Sequence, residues 1–147
     1  MSKPRIAFAA DHAGFALKDQ LKDELAAQGY PVTDLGTNGP DSVDYPDFGR
    51  KLGEHIAAGQ ADFGVAVCGS GIGISIAANR VPGCRAALVS EALSARLSRQ
   101  HNNANVIAFG ARLIGLDIAR DCLQQFLATE FEGGRHARRV SKLDLPS

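Results

Sequence analysis

Five short runs of apolar and small residues recur along the chain, at Arg5–Ala9, Pro31–Leu35, Phe63–Cys68, Cys84–Val89 and Val106–Phe109. They read as nearly continuous apolar stretches, the pattern of strands buried on both faces. Amphipathic stretches lie between them. Over Gly14–Gln28, Leu17, Leu21 and Leu25 recur four apart, and Gly29 is placed to act as the residue just beyond a helix end. Over Asp47–Ala58, Phe48, Leu52 and Ile56 repeat the spacing before Gly59. Ile72–Asn79 predicts a short helix rich in small residues. Glu91–Arg99 follows Ser90, a good N-cap. Leu116–Phe131 carries Ile118, Cys122, Leu123, Phe126 and Leu127 on one stripe. Strands alternating with helices predict an α/β fold, a parallel sheet covered on both faces. Ligands of such sheets bind outside the carboxyl ends of the strands, which says where to look for chemistry.

Composition narrows the function classes. With 147 residues, 45% of them apolar, and no linker, repeat or low-complexity tract, the chain 1–147 reads as one domain. Lys+Arg and Asp+Glu both count 16. That balance argues against a nucleic-acid or membrane-surface partner, which would need a basic excess. No apolar stretch approaches the length of a membrane span, and Ile6–Ala10 is too short for a signal-peptide core. Cys68, Cys84 and Cys122 lack disulfide-like spacing, so reduced thiols and a cytoplasmic location are expected.

The most informative strand end is Cys68-Gly69-Ser70-Gly71-Ile72-Gly73-Ile74-Ser75. Its glycines allow backbone N–H groups to approach a ligand where a helix begins, a setting that favours anions and the thiolate form of cysteine. The competing reading of Cys68 is a small hydrophobe ending a strand. Spacing excludes sharper alternatives. A dinucleotide fingerprint requires glycine, and a cysteine phosphatase loop arginine, where Ile74 stands; a P-loop requires a lysine that is absent.

Other strand ends add polar groups. Asp11 and His12 follow the first strand, as a charged pair facing the crevice or as a helix cap and a surface residue. The loop through Asp44-Tyr45-Pro46 offers Tyr45 as wall, hydroxyl donor or loop anchor. Gln100-His101-Asn102-Asn103 precedes the fifth strand and so lies at the amino edge of the sheet, whereas Cys68 lies at the carboxyl edge. A five-residue strand separates those edges by roughly 17 Å. His101 is therefore either a surface residue or is presented to Cys68 by a second subunit, which predicts a symmetric dimer with shared sites.

Near the C-terminus, Gly133-Gly134-Arg135-His136-Ala137-Arg138-Arg139 is a compact cationic group, suited to phosphate or simply a solvated basic tail. Arg112 is another cation past the fifth strand. His12, His55, His101 and His136 are dispersed without ligand spacing, so no metal site is expected, and His55 reads as a helix-surface residue.

Taken in order, Asp11-His12-Ala13-Gly14, Asp44-Tyr45-Pro46, Cys68 to Asn79, Ser98 to Asn103 and Gly133-Gly134-Arg135-His136 resemble the type B ribose-5-phosphate isomerase family, which includes galactose- and allose-6-phosphate isomerases. The resemblance covers nearly the whole chain. It implies a three-layer α/β/α sandwich with a five-stranded Rossmann-like sheet, strand order 2-1-3-5-4, and a homodimer or tetramer. It implies that Cys68 takes the C2 proton, that Gly69, Gly71 and Gly73 stabilise the enediolate, and that Ser70 assists proton traffic between O1 and O2. Many relatives carry threonine there; the hydroxyl survives. Asp11 or His101 would open the furanose ring. His12, Arg135 and Arg139, with Arg112, would hold the phosphate, and Asn102 would contact the sugar across the subunit boundary.

Aldose–ketose isomerisation asks for an open-chain sugar, a base near C2 and donors for the developing oxyanion. A thiolate poised near neutral pH can serve as that base, and phosphate binding supplies remote energy that holds C2 against it. No cofactor or metal is required. The expected substrate is a small phosphorylated sugar, ribose 5-phosphate first and a hexose 6-phosphate as the alternative. A non-catalytic sugar-phosphate-binding module would share the anion nest but would not need Cys68, Asp11 and His101.

Overall fold

The computed structural model describes residues 2–144. Its order is β1 (Ile6–Ala10), α1 (Phe15–Ala27), β2 (Val32–Asp34), α2 (Tyr45–Ala57), β3 (Phe63–Cys68), α3 (Ile72–Asn79), β4 (Ala86–Leu88), α4 (Ala92–Asn102), β5 (Val106–Gly110), α5 (Leu116–Ala128) and α6 (Arg135–Leu143). The strands pair in parallel in the order β2-β1-β3-β5-β4, as the resemblance implies.

Alternation along the central strands builds the two faces. Ile6, Phe8, Ala10, Val65, Val67, Ile107 and Phe109 point to one side, where Leu17, Leu21 and Leu25 of α1, Ala95 of α4, and Ala119, Cys122, Leu123 and Phe126 of α5 cover them. Burying a side chain the size of Phe8 or Phe109 is worth about 1.5–3 kcal/mol. The other side is made of smaller residues: Ala7, Ala9, Ala66, Cys68 and Ala108 pack against Leu52 and Ile56 of α2 and Ile74 and Ala78 of α3. Cys68 thus belongs to the face under α2 and α3 and ends the strand at its carboxyl edge.

Several boundaries differ from expectation. Burial on both faces holds for β1 and β5 and for β3 beyond Phe63, but β2 and β4 are edge strands, three residues each and partly exposed. Gly29 does follow the end of α1, with φ 93° and Tyr30 N donating to Leu25 O at 3.0 Å. The cap of α4 is Glu91 rather than Ser90. Its carboxylate accepts from the amides of Leu93 at 2.7 Å and Ser94 at 3.0 Å, so the helix starts at Ala92 and runs on through His101 and Asn102. Helix α5 ends at Ala128, and Ile118 is exposed; Ala119 takes the buried place on the stripe. The basic segment, for which the sequence offered a phosphate-binding group or a solvated tail and no helix, forms helix α6. It packs against α4, burying His136 and Val140.

Lys18 is a buried cation, its side chain 0% exposed. Its ammonium donates to Asp34 Oδ1 at 2.7 Å, Thr37 O at 2.7 Å and Asn38 Oδ1 at 2.9 Å. Three strong acceptors offset the loss of water. This cage ties α1 to the loop after β2 at the carboxyl edge.

Candidate active site

Strand β3 ends at Cys68, and the chain turns through Gly69, Ser70 and Gly71 into α3. The Gly71 amide donates to Cys68 Sγ at 3.2 Å, and Ile72 N donates to Ser70 Oγ at 3.1 Å. The first turn of a helix thus directs N–H groups towards the thiol and the serine hydroxyl. Gly71 has φ 78°, and a Cβ there would meet Phe109 C at 2.7 Å and Phe109 O at 2.9 Å, so both backbone and space require glycine. Gly73 is pressed by the ring of Tyr45, the first residue of α2 rather than part of a loop.

A cavity of about 510 Å³ opens above this turn. It is lined by Asp11, Tyr45, Cys68, Gly69, Ser70, Gly73 and Arg112, with Ile72, Ile76 and Leu113 at apolar positions. Its size suits a small metabolite. Cys68 is only 3% exposed yet forms part of the cavity wall, so it both ends the strand and faces the cavity. Arg112 brings its guanidinium over the glycine loop; a Cβ on Gly69 would meet its Nη1 at 3.3 Å. Two other thiols, Cys84 and Cys122, lie outside this lining. Burial pushes Cys84 up to about 12 and Cys122 up to about 11, so both stay protonated at neutral pH.

Asp11 combines both readings offered by its position. It is buried, and its Oδ1 accepts from Ala13 N and Gly14 N, each at 3.0 Å, capping the turn into α1, while the residue also lines the cavity. His12 Nδ1 accepts from Val43 N at 3.2 Å, which assigns the proton of the neutral ring to Nε2. His12 lies next to Asp11 in the chain but outside the lining of the cavity.

The remaining candidates collect elsewhere. His101 and Asn102 occupy the last turn of α4, and Arg135 and Arg139 are exposed on α6. The His101 ring stacks on His136 with centroids 4.4 Å apart and planes 13° apart. Asn102 lines a separate cavity of about 360 Å³ with Cys84 and Arg85. None of these residues lines the Cys68 cavity of the same chain. The separation of the two sheet edges inferred from β5 is therefore what the fold contains. The fold also assembles what sequence spacing hid: His101, Glu132 and His136 place their ligand atoms within 4.8 Å of one another. His136 titrates below the ordinary histidine value, first through loss of solvent and then through the neighbouring His101 and Arg135 charges. His55, expected on a helix surface, is half-buried with Nε2 enclosed.

The sequence profile of the Ribose/Galactose Isomerase family matches residues 6–143. The chain belongs to this family. It is 45% identical over 139 residues to ribose-5-phosphate isomerase B of Escherichia coli, covering 95% of this chain and 93% of that protein. Its fold superimposes on ribose-5-phosphate isomerase B of Clostridium thermocellum with a TM-score of 0.93 at 51% identity, covering 95% and 94% of the two chains. It likewise matches the crystal structure of ribose-5-phosphate isomerase B from Mycoplasma genitalium with bound ribulose-5-phosphate, with a TM-score of 0.91 at 39% identity, over 95% and 93% of the chains. In this isomerase family member the cysteine, glycine turn and flanking carboxylate therefore sit on a shared scaffold.

Proposed function

We propose that the chain interconverts D-ribose 5-phosphate and D-ribulose 5-phosphate through an enediolate, as a single aldose–ketose isomerase domain. The observation that carries this is Cys68 Sγ at the wall of a sugar-sized cavity, accepting the Gly71 amide at the start of α3. With the open-chain aldose bound, the Cys68 thiolate removes the C2 proton. The C2–H electron pair forms the C1=C2 bond, and the carbonyl pair moves to O1. The amides of the Gly69–Gly73 turn stabilise that oxyanion, and Ser70 relays the proton from O2 to O1. The Cys68 thiol then returns its proton to C1 as the carbonyl forms at C2. Removing one oxyanion donor from such a site typically costs about 10²–10³-fold in rate, so the glycine turn matters as much as the thiol.

The same reading gives Asp11 or His101 the opening of the furanose ring, Tyr45 and Asn102 the sugar, and His12, Arg112, Arg135 and Arg139 the phosphate. Because His101, Asn102, Arg135 and Arg139 lie away from the Cys68 cavity in one chain, the working unit is at least a homodimer in which each site draws on both copies. Exposed Ile72, Ile76 and Leu113 around the cavity supply an apolar surface for that contact. A catalytic thiol needs a reducing compartment, consistent with the cytoplasm; no helix among the described residues is long and apolar enough to cross a membrane.

The test is turnover of purified protein on a panel of pentose 5-phosphates and hexose 6-phosphates. Ribose 5-phosphate is expected to give the highest kcat/KM. No turnover of any member would reject an isomerase, and a preference for a hexose phosphate would move the substrate within the family.

A further inference from the structure

We propose that His101, Glu132 and His136 form a binding site for a transition-metal dication such as Zn²⁺, and that an ion held there withdraws His101 from catalysis. The second half rests on the isomerase reading; the first does not. The reaction needs no metal, so this ion is an inhibitor rather than a cofactor.

Three observations carry the site. The ligand atoms of two imidazoles and one carboxylate lie within 4.8 Å of one another. The side chain of His136 is only 9% exposed, and its Nε2 is enclosed without a hydrogen-bond partner among the described residues. Glu132 Oε1 approaches that nitrogen to 3.5 Å without forming a hydrogen bond, so a buried ring nitrogen stands unpaired beside a carboxylate.

The scaffold around the three groups is tied together. Glu132 N donates to Gln100 O at 3.1 Å, joining the segment before α6 to the last turn of α4. Arg99 donates to Asn103 Oδ1 at 2.8 Å, Ala104 O at 2.7 Å and Thr129 O at 3.3 Å, fixing both ends of that junction. His136 N donates to Gly133 O at 3.0 Å. His136 is thus the fixed ligand, while exposed Glu132 and half-buried His101 close on it by side-chain rotation. Ion–ligand distances of about 2.0–2.2 Å in a tetrahedral site put ligand atoms roughly 3.3–3.5 Å apart, so the ligand atoms close by about 1 Å, and the His101 ring, stacked on His136 with planes 13° apart, turns out of the stack so that both ring nitrogens face the ion.

Donor chemistry selects the ion. Two imidazoles and a carboxylate suit Zn²⁺, Co²⁺, Ni²⁺ and Cu²⁺ and disfavour Mg²⁺ and Ca²⁺, which prefer all-oxygen sets. Three protein ligands leave a fourth position open. Arg135 and Arg139 on the same helix oppose a dication, which makes the Glu132 charge essential.

The experiment uses the full chain, stripped of metal with a chelator that is then removed. Zn²⁺ binding is read by calorimetry and Co²⁺ binding by visible absorption, in the wild type, Glu132→Gln, His136→Ala and Cys68→Ala, with circular dichroism to check folding. One equivalent per chain is expected in the wild type and in Cys68→Ala, at least about tenfold weaker in Glu132→Gln and in His136→Ala, with no thiolate-to-Co²⁺ charge-transfer band. No binding by the wild type, unchanged affinity in folded Glu132→Gln, or a thiolate band lost in Cys68→Ala would overturn the site. In turnover assays, Zn²⁺ is expected to inhibit the wild type at least about tenfold more potently than Glu132→Gln; equal potency would overturn the inhibitory role. Failure of the isomerase reading would show instead as no turnover without metal, and the binding measurements would still decide the site.

Discussion

Gly71 donates its amide to the sulfur of Cys68 from a left-handed backbone conformation with no room for a side chain. The turn that aims the amide is thus also what holds helix α3 against Phe109. Gly71→Ala must strain φ and displace the β5 backbone, at a cost of about 1–3 kcal/mol. Because an ångström of misplacement at a reacting centre can cost about a hundredfold, turnover is expected to fall by more than tenfold in protein that remains folded. Steady-state kinetics beside a urea titration checks both numbers.

Lys18 and Asp34 link the carboxyl-edge loop to α1. Lys18→Met leaves Asp34 to Lys22, which donates to its Oδ2 at 3.0 Å, and strands the carbonyl of Thr37. The expected loss of stability lies toward the lower end of about 3–5 kcal/mol, read as a shift of the urea midpoint at unchanged slope.

The same cage sets an acid limit. Burial would push the Asp34 carboxyl up, but hydrogen bonds from Lys18, the Gly36 amide and Lys22 overcome it and hold the group below its ordinary 3.8. A depressed folded value means that the stabilisation is present in full above 3.8 and is lost as pH falls through the folded value below it. Thermal denaturation across that acid range is expected to show this decline in the wild type and a smaller one in Lys18→Met.

The proposed sharing of each site between two copies makes a complementation prediction. Cys68→Ala and His101→Asn each damage every site of their own homodimer. Mixed subunits, exchanged through reversible unfolding, contain one site with both native residues. Activity well above either parent is expected on mixing; none above the parents would place His101 outside the partner's site.

Much of this was legible because the signals were redundant. Leu17, Leu21 and Leu25 agree with Gly29 on α1, and the glycines after Cys68 agree with the carboxyl-edge rule. Helix α6 was not legible. Only His136 and Val140 of its residues are buried, so four cations and two preceding glycines read as a phosphate-binding group or a solvated tail rather than as a helix. Missing that helix hid His136 from His101, since their contact exists only through the packing of α6 on α4. The cap of α4 was misplaced because Ser90 and Glu91 both offer oxygens, and the longer carboxylate reaches the amides. Ile118 is exposed because its neighbour Ala119 takes the inward place on α5. Asp11 resisted a single assignment from sequence because it serves the turn and the cavity together.

The most direct test of the account is turnover of ribose 5-phosphate by Cys68→Ala, compared with wild type at equal folded concentration. Loss of the proposed proton-transfer group is expected to lower kcat by at least about a hundredfold while thermal stability and sugar-phosphate binding stay close to wild type. A folded Cys68→Ala protein turning over at the wild-type rate would contradict the assignment of the base and, with it, the mechanism.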